Sequence, residues 1–283
     1  MIGKSSRLWP AILTTLMVAL AIVWLLPAVW VVVTSLKLTE NIVRVPPEWI
    51  PWPATLEHYG EVLFSSSRTA RIGRAFLNST VVSLGSVAVV LLTSAMAAYP
   101  LARMRFRGRG LVFGLLVGSL MIPNAVILVP QYVLVQRLGW LSTYQGLIVP
   151  EAAMTFAFGV FLLRQFFLTI PAELEDAARI DGAGPWQIFT RILLPLSQPV
   201  LGALAIFAFR SAWNDFLWPL IAVNKPDMFP LPVALALLRG AYAAESYGPI
   251  MAGAALSALP LLIVFLVANR RIVEGVRVSA LKG

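Results

Sequence analysis

Two sets of residues in this chain have the types and spacing to do chemistry, and neither is suited to making or breaking a covalent bond. The first lies in a polar, cap-punctuated segment, residues 173–195, set between long apolar runs. Its centre holds Asp176, Ala177, Ala178, Asp181, Gly182 and Ala183. Acids, small side chains and glycines at that spacing suit docking against another surface outside the bilayer. The second set is polar side chains inside or at the ends of apolar runs: Asn124, Gln131, Glu151, Asn214 and Asp215. A charge in the membrane costs roughly 2.5 to 3.5 kcal/mol on insertion scales. Such groups either tie one helix to its neighbours or face a wet passage, and the residue types allow both.

Other chemistries are excluded. The chain has no cysteine, so disulfides, thiolate metal sites and cysteine nucleophiles are absent. Its one histidine, His58, reads as part of a polar loop, which leaves no histidine-dependent site within the membrane. Ser83, Ser86, Ser94, Ser119 and Ser257 have no histidine near them, and Glu151 and Asp215 read as belonging to different spans. Gly3-Lys4-Ser5 looks like the end of a phosphate loop but lacks the glycine required five residues upstream. No catalytic residue, metal site or bound cofactor is expected, and the chain is expected not to be an enzyme.

The elements that must position these residues are membrane helices. Of 283 residues, 59% are hydrophobic and 12% charged, against about 25% charged in a typical soluble domain. Apolar runs long enough to cross roughly 30 Å of hydrocarbon occur near 9–33, 78–101, 111–135, 146–168, 200–223 and 250–268. The expectation is an all-α membrane protein, a single domain of six transmembrane helices, with a loop at 169–196 and a tail at 270–283. The first run is too long for the apolar core of a cleavable signal and reads as an uncleaved span. Pro230 to Leu238 is too short to cross and reads as re-entrant or interfacial.

Charge sets the orientation. The net charge is +9, but the basic residues cluster at the ends of apolar runs without aromatic interleaving, so a nucleic-acid partner is not expected. With both termini inside, the inner segments hold 13 lysines and arginines and the outer ones 8. That places 173–195 in the cytoplasm.

Within that segment, Pro171 suits the first turn of a helix, and Glu173, Glu175 and Asp176 fall where the helix dipole favours anions. Leu174, Ala177, Ala178 and Asp181 share a face. Gly182 and Gly184 break this helix, Pro185 opens a second carrying Trp186, Ile188, Phe189 and Ile192, and Pro195 ends or kinks it. An amphipathic pair resting on lipid headgroups is the plainer alternative. Gly114 and Gly118 read as a helix-packing notch.

Asp-Ala-Ala at 176–178, Asp-Gly-Ala at 181–183, Phe189 and Ile-Leu-Leu-Pro at 192–195 resemble the cytoplasmic Glu-Ala-Ala loop of permease subunits of bacterial binding-protein-dependent ABC importers. Order and spacing are kept; Asp176 stands where the family usually has Glu. Phe-Leu-Leu-Arg-Gln-Phe-Phe at 161–167, Trp-Asn-Asp-Phe-Leu-Trp-Pro-Leu at 213–220 and the terminal Leu-Lys-Gly are similar to the carbohydrate-uptake branch, especially the smaller six-span permease of maltose-type transporters.

The resemblance implies a type I importer permease in a bacterial or archaeal cytoplasmic (inner) membrane. Asp176, Ala177, Ala178, Asp181, Gly182 and Ala183 would then form a coupling helix docked on an ATPase. Two ATPase subunits would bind ATP and Mg; a second permease and an extracytoplasmic solute-binding protein would complete the complex. The tail 270–283 would approach the ATPase or lie unstructured. Asn124, Gln131, Glu151, Asn214 and Asp215 become candidate pathway residues for a sugar, polyol or sugar derivative. A secondary transporter or channel without an ATPase is the competing expectation.

Overall fold

A computed structural model describes residues 5–64, 72–242 and 246–280, and all regular structure among them is helical. This is the expected fold class. Backbone groups in lipid must find partners within their own segment, which the helix provides.

Four helices are long and apolar enough to cross a membrane: α1 (Ser5–Ser35), α3 (Ile72–Arg103), α6 (Tyr144–Thr169) and α12 (Gly248–Ala280). The short α2 (Glu57–Phe64) lies between the first two. The expected span 111–135 is not one straight helix. It is α4 (Arg109–Ser119) followed by α5 (Asn124–Arg137), bent by 101°. Pro123 causes the break, its backbone extended at φ −62°, ψ 134° and its ring unable to continue a helix from the preceding turn.

A short α7 (Glu173–Ile180) and then α8 (Pro185–Leu196) precede α9 (Gln198–Asn214), which bends 76° away from α8. The expected span 200–223 is also interrupted, because α9 ends at Asn214 and the short α10 (Leu217–Ala222) follows. If each bent pair counts as one crossing, the described residues make six. The stretch read as re-entrant belongs to α11 (Leu231–Tyr242), too short to span. Pro171 stands just outside α7, and the tail is helical as far as Ala280. Lys4, Arg68, Arg71, Glu245 and the terminal Leu-Lys-Gly lie outside the described residues.

The helices cluster into two compact units, Met1–Ile72 with Leu235–Ala258, and Gly73–Ala234 with Leu259–Gly283. In the first, His58 is a buried residue of α2, contrary to the loop reading, and its Nε2 lies 2.9 Å from the Lys37 carbonyl. Gly248 meets it so closely that a Cβ would stand 2.3 Å from that nitrogen. A packed ring, not a reactive one, accounts for His58.

The second unit holds the larger core, in which α3, α6, α8 and α9 bury Val90, Ala98, Val160, Leu163, Phe167, Leu193 and Leu204. Gly114 and Gly118 have no neighbour within 4 Å, so they form no packing notch within the chain. Buried Asn78 braces the connection before α11. Its Nδ2 donates to the carbonyls of Asp227 at 2.8 Å and Phe229 at 3.1 Å, and its Oδ1 accepts from the Tyr144 hydroxyl at 2.8 Å. Asn78→Leu removes three part-buried hydrogen bonds and is expected to cost about 3 kcal/mol, seen as a lower unfolding midpoint of the detergent-solubilised protein. An unchanged midpoint would show that water takes over the asparagine's role.

Candidate functional site

The segment 173–195 forms a helical hairpin. The C-terminus of α7 closes as a Schellman turn, with Gly182 N–H bonded to Arg179 O at 3.1 Å and Ala183 N–H to Ala178 O at 2.9 Å. The turn requires the left-handed backbone that Gly182 adopts, φ +82°. Gln187 Oε1 then accepts from Gly184 N–H at 3.0 Å, and Pro185 occupies the first turn of α8. Asp176, Ala177, Asp181 and Gly182 are exposed, Ala178 and Ala183 half-buried against the core. The hairpin thus brings all six together. It encloses a notch of about 400 Å³ bounded by Ala178, Asp181, Gly182, Ala183, Gln187 and Arg191, among others.

Ile180, 87% exposed, and Trp186, 64% exposed, add apolar surface beside these acids and small residues. Beneath the Trp186 ring, whose centroid lies 5.5 Å away, Phe189 is buried and stacks on Tyr99 of α3, ring centroids 5.2 Å apart. Residues Phe189–Leu193 of α8 form a π-helical turn, a local departure from α geometry common at functional positions. The hairpin is anchored on one side and bare on the other.

The face of α7 turned inward is centred on Glu175, and most of the face shared by Leu174, Ala177, Ala178 and Asp181 is turned outward. Leu174 and Ala177 are exposed, while Glu175 is only 2% exposed and Ala178 half-buried. Glu175 Oε1 lies 2.8 Å from Arg103 Nε at the end of α3, and its Oε2 is 3.2 Å from Arg179 Nη2. Arg179 Nη1 reaches Asp176 Oδ1 at 2.8 Å. Arg103 also donates to the carbonyl of Ile170, where α6 ends. Neither Arg103 nor Glu175 stood out in the sequence as a site residue. The available signal was spacing, because Glu175, Ala178 and Arg179 share one helical stripe at i, i+3 and i+4.

Four of the five polar residues of the apolar runs line a single cavity of about 140 Å³. Asn124 and Gln131 come from α5, Glu151 from α6 and Asp215 from the break between α9 and α10, with Met154 and Trp218 beside them. Glu151 is hydrogen-bonded by Ser211, and its Oε1 is buried without a hydrogen-bond partner. Asp215 accepts from Trp218 N–H at 3.4 Å, and the Trp218 indole donates to Gly146 O at 3.0 Å. The two carboxyl groups sit in different spans yet share this space. Asn214 is not part of it; its side chain is exposed and donates to Arg210 O at 2.9 Å. Among the described residues, no lysine, arginine or histidine lines the cavity.

A profile of the family described as "Binding-protein-dependent transport system inner membrane component" matches residues 90–278. The chain belongs to that family. It is accordingly a multi-pass component of a transport complex and not an enzyme. The chain is 34% identical over 275 residues to the diacetylchitobiose uptake system permease protein NgcG of Streptomyces coelicolor, covering 97% of this chain and 89% of that one. It is 32% identical over 266 residues to the trehalose/maltose transport system permease protein MalG of Thermococcus litoralis, 94% of each chain. The fold resembles a chain in the crystal structure of a bacterial ABC transporter involved in import of the acidic polysaccharide alginate. That match has a TM-score of 0.81 at 23% identity, over 95% of this chain and 98% of that chain.

Proposed function

We propose that this chain is the permease subunit of an ATP-driven importer and forms half of the pathway for a sugar, polyol or sugar derivative by alternating access. The observation that carries the reading is the α7–α8 hairpin, anchored inward by Glu175 and Phe189 and presenting Asp176, Asp181, Gly182, Ile180 and Trp186 outward. A channel or secondary transporter has no use for such a surface. A helix merely resting on lipid would bury Trp186 in headgroups, but exposed Asp176 and Asp181 on the same hairpin make it a poor lipid anchor.

The partners that go with this reading are two ATPase subunits holding ATP and Mg, a second permease supplying the other half of the pathway, and a solute-binding protein outside. Both termini are placed in the cytoplasm by the distribution of lysine and arginine. Asn124, Gln131, Glu151 and Asp215 offer amide donors and carboxylate acceptors beside an indole, a set suited to hydroxyl groups. Among the described residues no basic side chain lines this cavity, so the cavity itself offers nothing to neutralise an anionic solute.

The test is co-expression with the neighbouring genes, followed by purification in detergent and reconstitution with the binding protein. A second permease and an ATPase co-purify, and hydrolysis rises with binding protein loaded with one of trehalose, maltose or diacetylchitobiose as probes. Uptake that persists with a hydrolysis-dead ATPase would sink the reading. In the same vesicles Asp215→Leu lowers uptake of the active probe by about tenfold, the scale of a lost charge-assisted hydrogen bond.

A further inference from the structure

We propose that the Arg103–Glu175 pair is the joint through which the hairpin drives the transmembrane helices, both residues acting by position and neither touching solute or nucleotide. This rests on the reading of α7–α8 as the surface engaged by an ATPase.

The backbone alone holds α7 loosely. It is an eight-residue helix, joined to α6 through residues 170–172 and to α8 through the turn at Gly182. What fixes its angle is one guanidinium. Arg103 is the last residue of α3; it donates to Ile170 O, the C-terminal cap of α6, and pairs with Glu175 of α7 at 2.8 Å. The guanidinium hydrogen-bonds the Ile170 carbonyl and stands against Glu175 as a close ion pair without hydrogen-bond alignment; a lysine's compact ammonium does not span both partners in this way. Three elements therefore converge on one side chain.

The pair is also wired to the exposed surface. A load on Asp176 passes to Arg179, from Arg179 to Glu175, and from Glu175 to Arg103. The inner two side chains are 12% and 3% exposed, so water competes little for them and the contact is stiff. An ion pair in such a place is a weak route to stability, since well-packed apolar groups commonly do as well; its advantage is direction. Further ties bind the same helix ends. Arg164 Nε on α6 donates to Leu101 O on α3 at 3.0 Å, and Tyr99 stacks on Phe189 of α8. A push on α7 accordingly reaches α3 and α6 together.

The experiment uses the complete importer in proteoliposomes, with the probe sugar that supports uptake by the unaltered complex, and reads sugar imported per ATP hydrolysed. Import by that complex secures the underlying reading independently. Glu175→Gln and Arg103→Lys are each expected to lower the ratio about tenfold while the ATPase still co-purifies and hydrolyses ATP. Glu175→Asp, which keeps the carboxylate beside Arg103 and Arg179, is expected to hold the ratio within about threefold of the unaltered complex, on the same scale. A pair that only holds the fold would reduce the amount of complex and both activities in step, leaving the ratio unchanged, and that result overturns the proposal. If Glu175→Gln does not accumulate, Arg103→Lys carries the test. Failure of every variant to accumulate, Glu175→Asp included, also decides against a joint.

Discussion

With Gln at position 182 in place of glycine, the importer is expected to continue hydrolysing ATP while its uptake falls by about tenfold or more, the usual range of a lost coupling between two sites. Two observations combine in this expectation. Gly182 is exposed, with nothing within 4 Å of a Cβ placed there, so the substitution disturbs no packing within the chain. Its φ of +82° costs a residue with a side chain about 1 to 2 kcal/mol, which the anchored hairpin absorbs without unfolding. The damage is confined to the outward surface, where a long polar side chain stands over the notch bounded by Asp181 and Arg191. Membrane insertion and the unfolding midpoint stay near those of the unaltered protein. Unchanged sugar uptake per ATP would remove the hairpin's claimed role in docking.

Gly159→Leu should act in the opposite sense, through the fold and not the surface. A Cβ at Gly159 on α6 would sit 2.4 Å from Ser94 Oγ on α3 and 3.2 Å from Leu204 Cδ2 on α9. Leu204 is fully buried, and Ser94 Oγ bonds the Phe156 carbonyl at 3.3 Å, so neither yields freely. Close approach of three helices at small residues is a common way for membrane helices to associate, and overfilling a packed core costs about 3 kcal/mol or more. The variant is expected to accumulate poorly and to lose its cooperative unfolding transition in detergent, with Gly159→Ala intermediate. A Leu variant as stable as the parent would mean that α3 and α9 separate at little cost.

The contrast between these two glycines marks how far the sequence was legible. Gly182 belonged to a motif whose punctuation is local, because caps and helix breakers act over a few residues; hence the hairpin was readable at 173–195. Gly159 owes its importance to residues far away in the chain, and nothing near it announces that. The same division runs through the acids of α7. Glu173, Glu175 and Asp176 look alike in a first helical turn, and only packing against α3 selects Glu175 for burial.

Long apolar runs revealed the helices but not their breaks. Pro130 lies within α5 without ending it, whereas Pro123 stands at a bend of 101°. The missing N–H is common to both, and the surroundings decide which one breaks the chain. Asn214 and Asp215 are neighbours with different fates, since α9 ends between them and the extended backbone at Asp215 redirects its carboxylate into the cavity. The sequence assigns Asp215 and Glu151 to different spans; the fold brings both to one cavity.

The π-helical turn at Phe189–Leu193 has a consequence for the hairpin's bearing. Such a turn accommodates one residue more than an α turn, and each residue of an α-helix advances about 100° around the axis. The surplus residue is therefore a rotational offset between α9 and everything on the N-terminal side of Phe189. Phe189 and Leu193, four residues apart, share the buried face within this turn. Chain length, more than side-chain identity, sets the compass heading of the docking surface. Deleting Thr190 would keep every motif residue and swing those that precede it, Asp176 to Ala183 among them, by about a quarter turn relative to α9.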